Sequence, residues 1–134
     1  MDLVEVTIGT TKEVPKAIAS LVGKVDAINI TSDNTTVADL DAIVKVCNEK
    51  KIPLFAGDVD SVERGAVVAY GMDYYLVGYT AGKKAALVLK GAKPGDIPWG
   101  PMEMFSLVVN QKAAAAQGVT LSPEFLKKAD KIIK

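Results

Sequence analysis

Short apolar runs alternate with amphipathic stretches along the chain, which is the pattern of βα units on a parallel sheet. The apolar runs predict five strands, at residues 3–8, 27–30, 52–56, 66–70 and 105–109. With 134 residues, of which 49% are apolar, the chain is long enough for one domain with its own core and too short for two. We therefore expect a three-layer α/β fold with a mostly parallel sheet of about five strands, as a single domain over residues 1–134.

Between these runs, apolar positions recur at helical spacing. Residues 14–22 predict a helix with Pro15 in its first turn, where a missing N–H does no harm. A second helix is predicted from Val37 to about Lys50, and Thr36 with Asp39 resembles a capping box at its start. A polar turn at residues 60–64 then separates the third and fourth predicted strands.

Two further helices are predicted in the second half of the chain. Asp73 opens the longest one and Gly91 ends it, and the expected buried face comprises Tyr74, Val77, Ala81, Ala85 and Val88. The last helix begins at Ser122, and its expected inward side chains are Phe125, Ala129, Ile132 and Ile133. The Gly- and Pro-rich segment 91–101 predicts an ordered connection, in which Trp99 belongs to either an exposed loop or a lid.

Three polar loops follow predicted strands, at residues 31–34, 57–61 and 70–75. In open α/β sheets, ligands bind beyond the carboxyl ends of the strands. The three loops therefore predict the rim of a site for one small polar molecule. Because the sequence shows no comparable set of groups for catalysis, we expect a binding protein and no enzyme.

The first loop offers Ser32, Asp33 and Asn34 as ligand-binding candidates. Hydroxyl and amide groups stand directly before a helix, where unpaired N–H groups favour an anion such as a carboxylate. The alternative is that Thr35 or Thr36 caps the helix while Asp33 and Asn34 turn the chain.

The other two loops offer Asp58, Tyr70 and Asp73. Asp58 follows a strand end, where its carboxylate can accept hydrogen bonds from an ammonium or hydroxyl group; the alternative is an Asx turn or a cap for a short helix at Ser61. Tyr70 and Asp73 together provide an aromatic wall with one carboxylate, which suits a flat or partly apolar ligand. Tyr74 is assigned to packing instead.

The charges and the rare residues exclude several classes of function. Sixteen basic and sixteen acidic side chains are interspersed and cancel, so bulk charge favours neither nucleic acid nor an anionic membrane as a partner. The chain has no histidine, and its single cysteine, Cys47, lies on the apolar side of a predicted helix. We expect Cys47 to be a small buried hydrophobic residue, and we expect no metal and no cofactor.

Two other α/β classes fit the pattern less well. A phosphoacceptor receiver domain needs clustered acids after its first strand to hold Mg²⁺, and residues 3–10 offer only Glu5. A flavodoxin-like redox domain needs a phosphate-binding loop, for which residues 7–11 are a weak match.

Several segments closely resemble the substrate-binding proteins of ABC transporters. They are GKVDAI at residues 23–28, SDNT at 32–35, KKIPLFAGDVDSV at 50–62, LKG at 89–91, PGDIP at 94–98 and ADKII at 129–133. The resemblance covers nearly the whole chain and favours the branch that includes tryptophan and tyrosine binders. The chain departs from that branch at NITS, residues 29–32, where relatives tend to carry an aromatic residue and a proline.

The resemblance implies a Rossmann-like, flavodoxin-like lobe of the type I periplasmic binding protein fold. Two such lobes close on a ligand and dock onto a membrane permease. The chain resembles the C-terminal lobe and the tail, so we expect the N-terminal lobe and the first βα unit of this lobe to be absent. The implied ligand is an amino acid or a similar small polar molecule. The alternative is an orphan ligand-sensing or regulatory domain that acts through a protein partner.

The same resemblance bears on location and assembly. The family is periplasmic or membrane-anchored outside the cytoplasm, whereas this sequence starts without a secretory signal pattern and as written would stay in the cytoplasm. The predicted strand at residues 3–8 would lack the central strand beside it, and an unpaired edge favours association. We therefore expect a homodimer that uses residues 3–8, the strand at 105–109 or the C-terminal helix.

Overall fold

The computed structural model describes residues 1–98 and 105–134, so the prediction for Trp99 lies outside the described residues. The described residues form one five-stranded sheet, ordered β1 (Ile28–Ile30), β2 (Leu54–Asp58), β3 (Val68–Met72), β4 (Phe105–Asn110) and β5 (Lys131–Ile133). Strands β1, β2 and β3 are parallel, β4 is antiparallel to β3, and β5 is parallel to β4. The predicted mostly parallel α/β sheet is confirmed.

Helices fill the connections between the strands. They are α1 (Val14–Leu21), α2 (Asn34–Ala38), α3 (Leu40–Lys50), α4 (Asp60–Glu63), α5 (Tyr74–Leu89), α6 (Gln111–Ala116) and α7 (Pro123–Leu126), with short 3-10 turns at Thr11–Glu13 and Pro94–Asp96. Pro15 stands in the first turn of α1, as predicted. Among the described residues, no helix is both long and apolar enough to cross a membrane.

The core lies on both faces of the sheet. Side chains of α1 and α3 pack with Leu54 and Ala56 of β2 on one face, whereas α6 and α7 pack with Phe55 and the neighbouring strands on the other. This alternation follows from the period of two along a strand and gives three layers. Cys47 of α3 is fully buried, and burial raises the pKa of its thiol to about 11.

The predicted helix from Val37 to Lys50 is two helices. The chain breaks at Asp39, which is the C-cap of α2, so the predicted capping box of Thr36 with Asp39 is wrong. Asp33 caps α2 instead, because its carboxylate accepts the backbone N–H of Thr36. A capping aspartate directly before the first turn satisfies a donor that the helix itself leaves unpaired.

The segment 3–8 has no regular secondary structure and is not a strand, which corrects the first predicted element. Leu3, Val4 and Val6 are 77%, 47% and 42% exposed, and only Ile8 packs against the core. The alternating apolar pattern is that of a strand, but a strand exists only where a neighbour completes its hydrogen bonds. None of the described strands pairs with this segment.

The predicted C-terminal helix is also wrong beyond its first turn. Helix α7 ends at Leu126, and residues 131–133 form β5 along the edge of β4. Asp130 makes the turn into the sheet, because its N–H donates to the carbonyl of Leu107 and its carboxylate accepts the N–H of Leu107. Ile132 is 37% exposed rather than buried.

Helix α5 has the predicted ends but not the predicted buried face. Asp73 caps its first turn, and Gly91 follows its last turn with a φ of 98°. None of its residues is buried, although most of them are apolar. The helix therefore extends from the sheet without a covering element in the described part of the chain.

Candidate functional site

The loops after β1, β2 and β3 meet at the carboxyl edge of the sheet through two glycines. A Cβ on Gly57 would lie 2.9 Å from Oγ of Ser32, and a Cβ on Gly71 would overlap the carbonyl oxygen of Gly57. A side chain at position 71 would meet backbone atoms, whereas one at position 57 would first meet the hydroxyl of Ser32. The three predicted rim loops therefore do come together.

Asp58 is buried at the end of β2, with 6% of its surface exposed. Its Oδ1 accepts the N–H of Ser61 at 2.9 Å, and its Oδ2 accepts the hydroxyl of Ser61 at 2.8 Å. Both carboxylate oxygens of Asp58 thus accept hydrogen bonds from the first turn of α4. This is the structural role that the sequence offered as the alternative to ligand binding. A contact between Asp58 and a ligand stays a prediction.

Asp33 has a similar role in the loop after β1. Its Oδ2 accepts the hydroxyls of Thr36 at 2.6 Å and Thr31 at 3.1 Å, and its Oδ1 accepts the N–H of Thr36 at 2.9 Å. These bonds, led by the Thr36 hydroxyl, lower the pKa of Asp33. Ser32 and Asn34 are exposed, and Ser32 lies against Gly57 at the rim.

Asp73 lies in a cleft of about 290 Å³ at the same edge. The lining residues are Val59, Asp60, Glu63, Asp73, Tyr74, Tyr75, Ser106, Val108, Asp130 and Lys131. Oδ1 of Asp73 caps α5 by accepting the N–H groups of Tyr75 at 3.0 Å and Leu76 at 3.1 Å. Its Oδ2 accepts the Ser106 hydroxyl at 3.4 Å, a long bond that leaves room for another donor.

The cleft is acidic. Asp60, Glu63, Asp73 and Asp130 face a single basic lining residue, Lys131, which pairs with Glu63 at 2.6 Å. The hydrogen bond and the charge of Glu63 raise the pKa of Lys131. An excess of carboxylates favours the positively charged part of a ligand.

Tyr70 is not part of this cleft. It is 68% exposed and stacks on Phe105 with 5.5 Å between ring centroids. Tyr70 is paired across the strands with Leu107, whereas Ser106, which lines the cleft, is paired with Gly71. Paired residues share a face and successive residues alternate, so Tyr70 and Ser106 lie on opposite faces of the sheet.

Sequence reasoning missed Ser106, Asp130 and Lys131. The antiparallel direction of β4 brings its first residues, including Ser106, to the edge where β3 ends. Asp130 and Lys131 were assigned to a helix, and the sequence after Leu126 shows no alternation of apolar and polar residues that could have indicated a strand there. Among the described residues, no three His, Cys, Asp or Glu side chains lie close enough to hold a metal ion.

The fold and sequence match known proteins over nearly the whole chain. The chain is 40% identical over 115 residues to a tyrosine-binding protein of Clostridioides difficile, which covers 86% of this chain and 33% of that protein. A solved conserved domain protein from Vibrio cholerae has a TM-score of 0.84 and 30% identity, covering 98% of this chain and 45% of the other. An ABC domain in complex with L-Trp from Streptococcus pneumonia has a TM-score of 0.80 and 31% identity, covering 94% and 43%.

The chain thus spans about a third of the length of that curated relative and less than half of each solved one. The family model for ABC transporter substrate binding proteins matches residues 1–133. Sequence, fold and family model agree that this chain belongs to the ABC transporter substrate-binding proteins.

Proposed function

We propose that this chain binds an aromatic amino acid in the acidic cleft. The observation that carries the proposal is the cleft wall, in which Tyr74 and Tyr75 stand beside the partly unoccupied carboxylate of Asp73. Tyrosine rings provide broad apolar faces for an aromatic side chain, and a carboxylate is a strong acceptor for an ammonium group. Relatives named for tyrosine and crystallised with L-Trp support this ligand class.

The two ends of an amino acid fit the charges of the cleft. The ammonium group would take the place beside Oδ2 of Asp73, and the carboxylate would lie toward Lys131, the single basic residue of the lining. Asp73 and Lys131 line the same cleft of about 290 Å³, and the charge of Asp73 adds to that of Glu63 in raising the pKa of Lys131.

The test is a titration with L-tyrosine and L-tryptophan, followed by NMR so that weak binding is measurable. Asp73→Asn keeps the cap of α5, because an amide oxygen also accepts the two backbone N–H groups, but it removes the charge. We expect Asp73→Asn to weaken binding at least about tenfold, as for the loss of a charged hydrogen bond. The matched control is Asp41→Asn, whose carboxylate is 84% exposed and pairs with Arg64 outside the cleft.

A second arm changes the ligand instead of the protein. N-acetyl-L-tyrosine lacks the ammonium charge, so it should bind no better to the unaltered chain than L-tyrosine binds to Asp73→Asn. Equal affinities of the unaltered chain and Asp73→Asn for L-tyrosine would refute the proposed position of the ammonium group. The absence of any shift with L-tryptophan at about 10 mM, and with L-tyrosine up to its solubility limit, would refute the proposal as a whole.

We further propose that the bound molecule is passed unchanged to a membrane permease, which is the role that family membership supports. Mass spectrometry after long incubation with the chain should recover only the starting amino acid. A new compound that forms with the unaltered chain but not with Asp73→Asn would contradict a role limited to binding.

A further inference from the structure

Lys131, the single basic residue in the lining of the acidic cleft, already has a carboxylate partner. Its Nζ lies 2.6 Å from Oε1 of Glu63, which lines the same cleft. Glu63 ends α4 and Lys131 begins β5, so the pair connects two elements of the cleft wall. The hydrogen bond and the charge of Glu63 raise the pKa of Lys131, which keeps this lysine charged at neutral pH. A ligand that uses Lys131 must therefore share it with Glu63 or displace Glu63.

Both ways of using Lys131 are unfavourable for a ligand carboxylate. An ammonium group has three donors, so Lys131 can bind a second carboxylate while it keeps Glu63. The two carboxylates then lie at one nitrogen, where their like charges repel each other. Displacement instead leaves Glu63 in the cleft wall without its cation. The carboxylate of an amino acid therefore gains little at Lys131.

The remaining charges of the lining act in the same direction. Asp60, Asp73 and Asp130 also line the cleft, and none of them forms an ion pair in the part of the chain that the structure describes. Four carboxylates and one ammonium group give the lining a formal charge of −3. Residues 99–104 contain one glutamate and neither lysine nor arginine, so they supply no positive charge to offset it. Such a cleft attracts a cation and repels an anion.

Two contacts in the cleft require no carboxylate on the ligand. Tyr74 and Tyr75 line it with half or more of their surface exposed, and tyrosine ring faces attract both aromatic rings and ammonium groups. Oδ2 of Asp73 has only the long bond from Ser106, at 3.4 Å, and has room for an ammonium donor. An aromatic amine makes both contacts and leaves the pair of Glu63 and Lys131 in place.

From this geometry we infer that the cleft favours an aromatic amine without a carboxylate over the amino acid with the same side chain, and that Glu63 determines this preference. The inference rests on the proposed function, because it keeps the ring beside the two tyrosines and the ammonium group beside Asp73. It narrows the ligand class from aromatic zwitterions to aromatic cations.

The first arm of the experiment compares three ligands on the unaltered 134-residue chain by NMR titration at pH 6. They are tyramine, L-tyrosinamide and L-tyrosine, which share the phenol ring and carry a protonated amine at this pH. Because Glu63 and Lys131 are both 58% exposed and salt screens their charges, the buffer contains no more than about 20 mM salt. We expect tyramine to bind at least about fivefold more tightly than L-tyrosine. L-tyrosinamide replaces the carboxylate with a neutral group of similar size, so its affinity should lie closer to that of tyramine.

The second arm changes Glu63. Glu63→Gln keeps the length of the side chain and an oxygen that accepts from Lys131, but it removes the competing charge. We expect L-tyrosine to bind at least about threefold more tightly to Glu63→Gln, and tyramine to bind no more tightly than to the unaltered chain. The matched control is Glu49→Gln, at an exposed position near the end of α3, which leads into the start of β2 at the opposite edge of the sheet. It should change neither affinity.

The outcomes separate this inference from the proposed function. L-tyrosine binding as tightly as tyramine, or more tightly, would overturn the preference and leave the proposed amino-acid site intact. A preference for tyramine that is the same in Glu63→Gln would overturn the role of Glu63. Binding of none of the three ligands would refute the proposed function and this inference with it.

Discussion

At the scale of single residues, two carboxylates that the sequence offered as ligand groups have a local structural role. Asp58 and Asp33 both follow strands, and both bind donors three residues ahead in the chain. A strand end followed by a helix needs a cap and also lies where ligands bind, so the same residue type suits both roles. The sequence could therefore indicate these positions but could not decide between the roles.

Asp58→Ala should lower the free energy of unfolding by about 1–3 kcal/mol, because the buried N–H of Ser61 loses its acceptor. Ser61→Ala should cost less, since it removes only the side-chain donor and leaves the backbone bond intact. Urea unfolding of the two variants beside the unaltered chain measures both effects. Equal losses in the two variants would contradict the capping role of Asp58.

The contribution of Asp33 should depend on pH. Its hydrogen bonds to Thr36 lower its folded pKa below the ordinary value of 3.8, so they stabilise the fold above that value, and this stability is lost as the pH falls through the folded pKa. Asp33→Asn should thus have a lower melting temperature than the unaltered chain at pH 6, and the difference should shrink below pH 3.8. Melting curves across this range measure it, with Asp41→Asn as the control for loss of a surface charge. A gap that stays constant with pH would contradict the assignment.

At the scale of elements, the strands β1, β2 and β3 were predictable. Each is a short apolar run, and its parallel neighbours in the sheet are apolar runs of the same kind. The segment 3–8 and β5 were not predictable, because pairing decides whether an extended segment is a strand, and a sequence does not display its pairs. The ends of α5 followed from Asp73 and Gly91, but apolar spacing alone could not show that none of its residues is buried among the described residues. Of the three predicted rim loops, 57–61 and 70–75 contribute residues to the lining of the cleft and 31–34 contributes none; Asp73 is the predicted ligand-binding residue that lines it. Ser106, Asp130 and Lys131 depended on the unpredicted direction of β4 and on β5.

The contact between β2 and β3 should tolerate no side chain at Gly71. Gly71→Ala would place a Cβ against the backbone of Gly57, 3.0 Å from its carbonyl carbon, so we expect a loss of about 1–3 kcal/mol in the free energy of unfolding. Gly82→Ala, within α5, meets nothing within 4 Å and should instead raise helix stability by about 1 kcal/mol. Circular dichroism with urea unfolding compares the two variants. Similar behaviour of both would show that the close approach at Gly71 is not required.

At the scale of the whole molecule, the chain corresponds to less than half of its solved relatives and yet contains a sheet with both faces packed. Most of the exposed large apolar side chains lie on α5 and in the segment 1–8, and two of those on α5, Tyr74 and Tyr75, line the cleft. The wall of the cleft and the exposed side of α5 are therefore linked, because Tyr74 and Tyr75 belong to both.

That link predicts weak binding by this chain. Pockets for small molecules have volumes of about 300–1,000 Å³ and bury most of the ligand, whereas this cleft has about 290 Å³ and its Tyr74 and Tyr75 are 51% and 78% exposed. For the 134-residue chain we expect a dissociation constant for L-tyrosine on the order of 1 mM, about 4 kcal/mol of binding free energy. The tyrosine-binding protein of Clostridioides difficile, of which this chain covers 33%, should bind at least about a hundredfold more tightly in a parallel titration. Equal affinities would show that the surfaces of this one chain are sufficient for the whole site, and that covering α5 contributes nothing to binding.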